Sequence, residues 1–256
     1  MLLKPLTSRT FSRMAGKFMD SRTSAVLIRQ FIRKNHIDLR EYQSENYKTF
    51  NDFFTRRIRP ECRPVAQEGL IAPCDGLLSA YRIDENLRIP IKGSVYSVKT
   101  LTGDAACASE FSGGTALVFR LCVNHYHRYH FLDDCIPEPS CFIPGILHTV
   151  RPIALENTEV FHQNCREVTV LHTEHFSDVV QIEVGAMLVG KIQNDPVQGS
   201  VHRGDEKGRF LYGGSTIVLL VRRNAVSLPD ALFQATIQNR ETPVRYGARL
   251  DVVIKK

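Results

Sequence analysis

Apolar positions repeat with two different periods along the chain. Over residues 8–35 the spacing is helical: Phe11, Met14, Ala15, Phe18 and Met19 fall on one face, with Arg9, Arg13, Lys17 and Arg22 mainly on others. The run "SAVLIRQFIRK" continues this, setting Val26, Leu27, Ile28, Phe31 and Ile32 against Arg29, Arg33 and Lys34. A short helix is expected over 48–58, "KTFNDFFTRRI", before Pro60 and Pro64 break the pattern. From residue 68 the texture changes to short β-rich runs between turns: "LLSAYRI", "TALVFRLCV", "EVTVLHT", "VVQIEVGAMLVGKI", "RFLYGGSTIVLLV" and "RLDVVIKK". The pattern predicts an α+β chain, with a helical region at 1–60 and a predominantly β body at 61–256.

With 256 residues, 43% of them hydrophobic, the chain can bury a sizeable core. No apolar run approaches the roughly 18 residues of a spanning helix, and Pro5 interrupts the start where a signal peptide needs a longer apolar stretch. The expectation is a protein of the cytosol, or one bound to a membrane from the cytoplasmic side. Seven cysteines without a paired spacing are expected to be reduced structural thiols. Charge changes the picture more. The net charge is +6, yet residues 1–60 hold 13 Lys and Arg against 5 Asp and Glu, leaving 20 against 22 for the rest. The basic N-terminal quarter is expected to meet something anionic. Basic amphipathic helices suit an anionic lipid surface; packing of these faces on the body is the structural alternative. No recognition motif supports nucleic acid.

Three stretches are candidates for chemistry. In "APCDG", Asp75 precedes Gly76, which by itself is an ordinary turn signal. In "NHYHRYHF", His125, His127 and His130 crowd together. Such imidazoles serve as metal ligands or as an acid/base pair; no carboxylate closes a ligand set next to them, and the acid/base reading is preferred. Strand alternation would set His127 and Tyr129 on one face, and Tyr126, Arg128 and His130 on the other. In "YGGSTIVLL" two glycines stand before Ser215 at the mouth of a strand, where glycine packs nothing. They mark either a β-bulge or a place where a reacting centre needs room beside the backbone. A phosphate loop and a nucleophile elbow are excluded by the residues that follow.

Together these stretches resemble the phosphatidylserine decarboxylases, a pyruvoyl-dependent family, in an ordered series. "FNDFFTRRIRPECRPV" (50–65), "APCDG" (72–76), "IKGSVYSV" (91–98), "YHRYHF" (126–131), "VGAMLVGKI" (184–192) and "KGRFLYGGSTIVLL" (207–220) resemble its motifs in the family's order. His125 departs from the acidic residue often found before Tyr126.

The resemblance implies self-cleavage between Gly214 and Ser215, giving a β chain of 1–214 and an α chain of 215–256 that begins with a pyruvoyl group made from Ser215. An Asp-His-Ser triad would map to Asp75, His130 and Ser215, with Asp75 orienting the imidazole. His127 would be the proton donor in decarboxylation. The pyruvoyl group, the cofactor (a covalent pyruvate), would form a Schiff base with the amine of phosphatidylserine, releasing CO2 and leaving phosphatidylethanolamine, with no metal. Region 1–60 becomes the membrane-associating part and 61–256 the catalytic domain of a peripheral enzyme on the cytoplasmic side of the cell membrane. Lys92 and Arg128 are candidates for the head-group phosphate; a homo-oligomer is left open. The alternatives are a pyruvoyl decarboxylase of a free amino acid, a non-catalytic lipid-binding relative, and a metal-dependent hydrolase, which leaves the Gly-Gly-Ser step unexplained.

Overall fold

The computed structural model describes Met14 and residues 16–43, 46–147, 162–185, 192–212 and 215–252. Its centre is an antiparallel sheet in the order β15-β1-β4-β14-β11-β10-β6, with β7 also on β10. These strands are β1 (Gly76–Arg82), β4 (Thr115–Leu121), β6 (Cys135–Pro137), β7 (Cys141–Ile143), β10 (Arg166–Thr173), β11 (Ser177–Val184), β14 (Ser215–Val221) and β15 (Thr242–Val244). Both faces are covered, so the inner strands are continuous apolar runs: every residue of β14 is buried. On one face Leu78, Phe119, Ile217 and Leu219 pack with Tyr129, Phe131 and Phe210 from a smaller sheet, β12-β13-β5. That sheet is built of β5 (Arg128–His130), β12 (Ile192–Asn194) and β13 (Glu206–Phe210). On the other face Val118, Ile182 and Val218 pack with Ile89, Ile91 and Leu101. These come from the hairpin of β2 (Ile89–Ile91) and β3 (Ser94–Tyr96) and from α3 (Val98–Thr102); α4 (Ala105–Glu110) follows. A further short pair, β8 (Ile146–Leu147) and β9 (His162–Gln163), completes the strands.

The predicted helix at 8–35 is two pieces in its described part. Met14 and residues 16–19 are helical, then a 3₁₀ turn at Arg22–Ala25 leads into α1 (Val26–Asn35). The break has a cause in Ser24. Its buried hydroxyl donates to the carbonyl of Ser21 and accepts the N–H of Phe50, tying the turn to α2 (Phe50–Phe54). The helix expected at 48–58 is only this α2, started by a reciprocal cap between Thr49 and Asp52. The apolar face of α1 packs on α2: Phe31 meets Phe50 edge-on at 5.0 Å and Phe53 at 6.1 Å. For α1, therefore, packing on the body is what occurs.

Two expected strands divide. "VVQIEVGAMLVGKI" ends as β11 at Val184 and resumes as β12; "RFLYGGSTIVLLV" is β13 and β14. Residues 186–191, and Gly213 with Gly214, lie outside the described residues. "RLDVVIKK" forms no strand over 249–252, where Arg249 makes one isolated bridge to Ile71; 253–256 lie outside the described residues. Three helices of the body carried no periodic signal because they are short: α3, α4 and α5 (Asp230–Ile237). The last covers the open half of the β1 edge, where the Thr236 hydroxyl accepts the N–H of Ala80.

Candidate active site

Ser215 opens β14 opposite Leu121 of β4. Strand alternation sends its side chain toward the face of Ile217 and Leu219, the layer shared with β5 and β13. The hydroxyl is buried and has no hydrogen-bond partner among the described residues. Two imidazole nitrogens share that condition, Nε2 of His127 and Nε2 of His130. Buried polar atoms are nearly always paired, and among the described residues three of the six that are not belong to the serine and histidines of the motifs, which makes these the candidates for a reactive site.

His130 is held on three sides. Its N–H donates to the carbonyl of Pro73 at 2.9 Å, two residues before Asp75. Its Nδ1 lies 3.0 Å from the Gly204 carbonyl. A carbonyl only accepts, so the proton sits on Nδ1 and the Nε2 lone pair is left basic. The ring stacks on Tyr246 at 3.7 Å between centroids and 15° between planes, with Tyr126 beyond at 5.8 Å. Burial pulls its pKa down to about 4. Gly204 takes φ +85°, and a Cβ there would press on Val65 and the Tyr246 hydroxyl, so glycine alone fits.

His127 is fixed by the same logic from a different side. Its Nδ1–H donates to the His125 carbonyl at 2.9 Å, again leaving Nε2 as the lone-pair nitrogen. Phe54 of α2 lies against its ring at 3.9 Å. Burial, reinforced by the Arg56 charge, lowers its pKa to about 3. Arg56 is fully buried, over the rings of Tyr42 and Phe53, and donates to the carbonyls of Asn124 and His125. It thereby holds the turn that carries His127. His125 itself is a turn residue: its Nδ1 accepts the N–H of Cys122.

Asp75 is buried, and its carboxylate is committed away from the imidazole. Arg63 grips it with two bonds, Nε at 2.9 Å and Nη2 at 2.7 Å, and the Tyr246 N–H donates to Oδ1 at 2.9 Å. Glu41 shares the guanidinium at 2.9 Å. The direct Asp75–His130 hydrogen bond expected of a triad is absent; the Gly204 carbonyl occupies that position on Nδ1. Asp75 reaches His130 through Tyr246, whose backbone it anchors, whose ring stacks on the imidazole, and whose hydroxyl donates to the same Gly204 carbonyl at 2.8 Å. Burial raises the Tyr246 phenol to about 12, so it remains a donor.

The expected strand alternation holds only from Arg128 onward, because β5 begins there. Arg128 is unsuited to a substrate phosphate: its Nε donates to the Thr55 carbonyl at 2.7 Å and its Nη1 to Glu206 at 2.5 Å. Sequence reasoning missed Arg63, Tyr246 and Gly204. Only Arg63 carried a visible signal, as an arginine held between two prolines in "PECRP". Gly214 lies outside the described residues.

Comparison with known proteins places the chain in a family. The family described as phosphatidylserine decarboxylase matches residues 50–250, a span that starts with α2 and contains every residue above except Glu41 and Tyr42. The chain is 41% identical to phosphatidylserine decarboxylase proenzyme 2 of Clostridium acetobutylicum, over 98% of this chain and 87% of that protein. It is 40% identical to the phosphatidylserine decarboxylase proenzyme of Clostridium botulinum, over 94% and 84%. A proenzyme of the same name from Desulfitobacterium hafniense is 38% identical over 95% and 84%. By the extent of both matches, this chain belongs to the phosphatidylserine decarboxylase family.

Proposed function

We propose that the chain is a self-processing decarboxylase that converts phosphatidylserine to phosphatidylethanolamine and CO2 at a membrane surface. One observation carries this reading: the Ser215 hydroxyl and the Nε2 atoms of two neutral imidazoles, His127 and His130, are each buried without a hydrogen-bond partner among the described residues. A serine meant only for structure would have its hydroxyl bonded.

In maturation, the His130 Nε2 takes the Ser215 proton as Oγ attacks the Gly214 carbonyl, exchanging the amide for an ester. The carbonyl of Gly204 holds the resulting imidazolium by its Nδ1–H, and Asp75, through Tyr246, keeps the ring in plane and supplies a nearby negative charge. β-Elimination of the ester, with loss of the Ser215 α-proton, frees the Gly214 carboxylate and leaves a dehydroalanine at 215; water then hydrolyses it with release of ammonia, leaving a ketone at the start of the separate chain 215–256. The residues present fit a pyruvoyl group derived from Ser215, which would supply an electron sink for an amine substrate. His127 then manages the proton. Its Nε2 is the nitrogen free to relay a proton to the carbon that CO2 has left. Phe54 and the low-polarity surroundings favour loss of a charged carboxylate as a neutral gas.

The membrane half of the reading rests on exposed apolar side chains in a basic segment. Met14, Phe18 and Val26 are 65%, 44% and 76% exposed, among Lys17, Arg22 and Arg29. No helix of the described residues is long and apolar enough to cross a membrane. The test is turnover by the purified protein. Phosphatidylserine in anionic vesicles should yield phosphatidylethanolamine and CO2, and free serine should not be consumed. Consumption of free serine alone would establish the amino-acid decarboxylase instead; turnover of neither would leave a lipid-binding relative.

A further inference from the structure

The alternation that sends Ser215 to one face of the sheet sends Thr216 to the other, where a cavity of about 190 Å³ opens. Among its lining residues are Lys92, Arg120, Thr216, Arg240 and a single carboxylate, Glu241. Arg120 takes up Glu241 through Nε at 2.9 Å and Nη2 at 2.5 Å, so the positive character of the cavity rests on Arg240 and on Lys92, whose pKa burial lowers to about 7. We propose that this cavity binds the phosphodiester of the substrate head group, with Lys92 as its principal contact; the inference rests on the decarboxylase reading above.

The placement of Lys92 argues for a role beyond the hairpin. Lys92 and Gly93 form the two-residue turn between β2 and β3, where Ile91 pairs with Ser94. Both take positive φ, 53° and 78°. Asn or Gly is the usual first residue of such a turn; a lysine is strained there. The strained residue also reaches the strand that pairs with the one opened by Ser215. Nζ donates to the Val184 carbonyl at 2.8 Å, and Val184 pairs with Thr216, the neighbour of Ser215. Position 215 becomes a chain end after cleavage, so a group joined there stands between the histidine side and the cationic side of the sheet. In a serine phospholipid the phosphate is a few bonds from the amine and reaches such a cavity.

Chemistry decides which anion the cations take. A carboxylate that must leave as neutral CO2 is held back by a cation that stabilises its charge in the ground state. The phosphodiester keeps its charge throughout, so gripping it costs nothing in the chemical step. The cations therefore serve binding of the phosphate, and the scissile carboxylate belongs on the Phe54 and His127 side.

The experiment uses the full-length, self-cleaved protein on phosphatidylserine in mixed micelles. Wild-type turnover is measured first, and its absence counts against the decarboxylase reading itself. Lys92→Met is then expected to self-cleave normally and to raise KM about tenfold with kcat within about twofold, as loss of a charge-assisted contact requires. Lys92→Arg should recover most of the loss, and Arg240→Gln, a surface change, should raise KM several-fold. Glycerophosphate should inhibit the wild type competitively and Lys92→Met weakly. Unchanged KM in both variants overturns the proposal, as does a loss confined to kcat, which would put Lys92 on the carboxylate. Uncleaved Lys92→Met with a normal KM for Arg240→Gln makes the turn structural and also overturns it. Glycerophosphate inhibition without any change in lipid KM assigns a site for free phosphate and rejects the head group.

Discussion

At the scale of single residues the site is a set of constrained protons. His127 and His130 each donate Nδ1–H to a backbone carbonyl, and burial keeps both neutral near pH 7. Their assigned duties separate in mutants. His130→Ala should stay uncut, whereas His127→Ala should be cut yet release no CO2; the opposite pattern, read on a denaturing gel and by CO2 release, contradicts the assignment. Tyr246 gives a graded version. Tyr246→Phe loses only the hydroxyl bond to Gly204 and should slow self-cleavage modestly, while Tyr246→Leu loses the stack as well and should slow it far more. The low pKa values also set a pH dependence of stability. Below the ordinary value of 6.5 the unfolded chain binds protons that folded His130 refuses until about pH 4 and folded His127 until about pH 3. Their contribution is complete above pH 6.5 and is lost as pH falls through that window. Denaturant titrations at pH 7 and 4.5 should show His130→Gln losing roughly 2 kcal/mol less than wild type between the two.

At the scale of elements, the N-terminal helices and the β body meet at the site. Phe54 of α2 lies on His127, and Arg56 just after it holds the turn before His127. The motif at 50–65 thus supports the histidine turn. Phe31 of α1 lies 6.1 Å from Tyr212, one residue before the glycine pair, so α1 also packs beside the segment that leads to Ser215. The Arg63–Asp75 pair is buried between loops, and removing its cation leaves a lone buried carboxylate. Arg63→Gln should destabilise the fold by about 3–5 kcal/mol in a denaturant titration and impair self-cleavage with it. The strands were legible in the sequence because β11 and β14 are rich in β-branched residues and β4, from Ala116 on, is an apolar run broken only by Arg120. The glycine pair and Asp75, each open to an ordinary reading as a bulge or a turn, stood out with Ser215 and the histidines through the ordered series of motifs. Tyr246 and Gly204 were not legible: each acts through backbone groups brought from distant positions, and "RYGAR" reads as an ordinary turn. The helical repeat from 8 to 35 concealed the break at Ser24, whose hydrogen bond to Phe50 is tertiary.

At the scale of the whole molecule, charge and processing define the account. The basic excess lies in residues 1–60, and the exposed apolar side chains Met14, Phe18 and Val26 lie within it. Because α1 is packed on the body, membrane attachment should depend on these exposed residues rather than on the buried face of α1. Replacing Met14 and Phe18 by Ser should leave self-cleavage intact and weaken sedimentation with anionic vesicles severalfold, more so at high salt; equal sedimentation would show that another surface binds lipid. The central claim is that Ser215 is spent to make the reactive group, and the intact mass of the purified protein tests it most directly, measured with and without a carbonyl-trapping reagent such as hydroxylamine. Two chains split after residue 214 are predicted, the smaller of them 215–256 and shifted in mass by the reagent at its first position. A single unreactive chain of 256 residues from an active preparation would contradict the account.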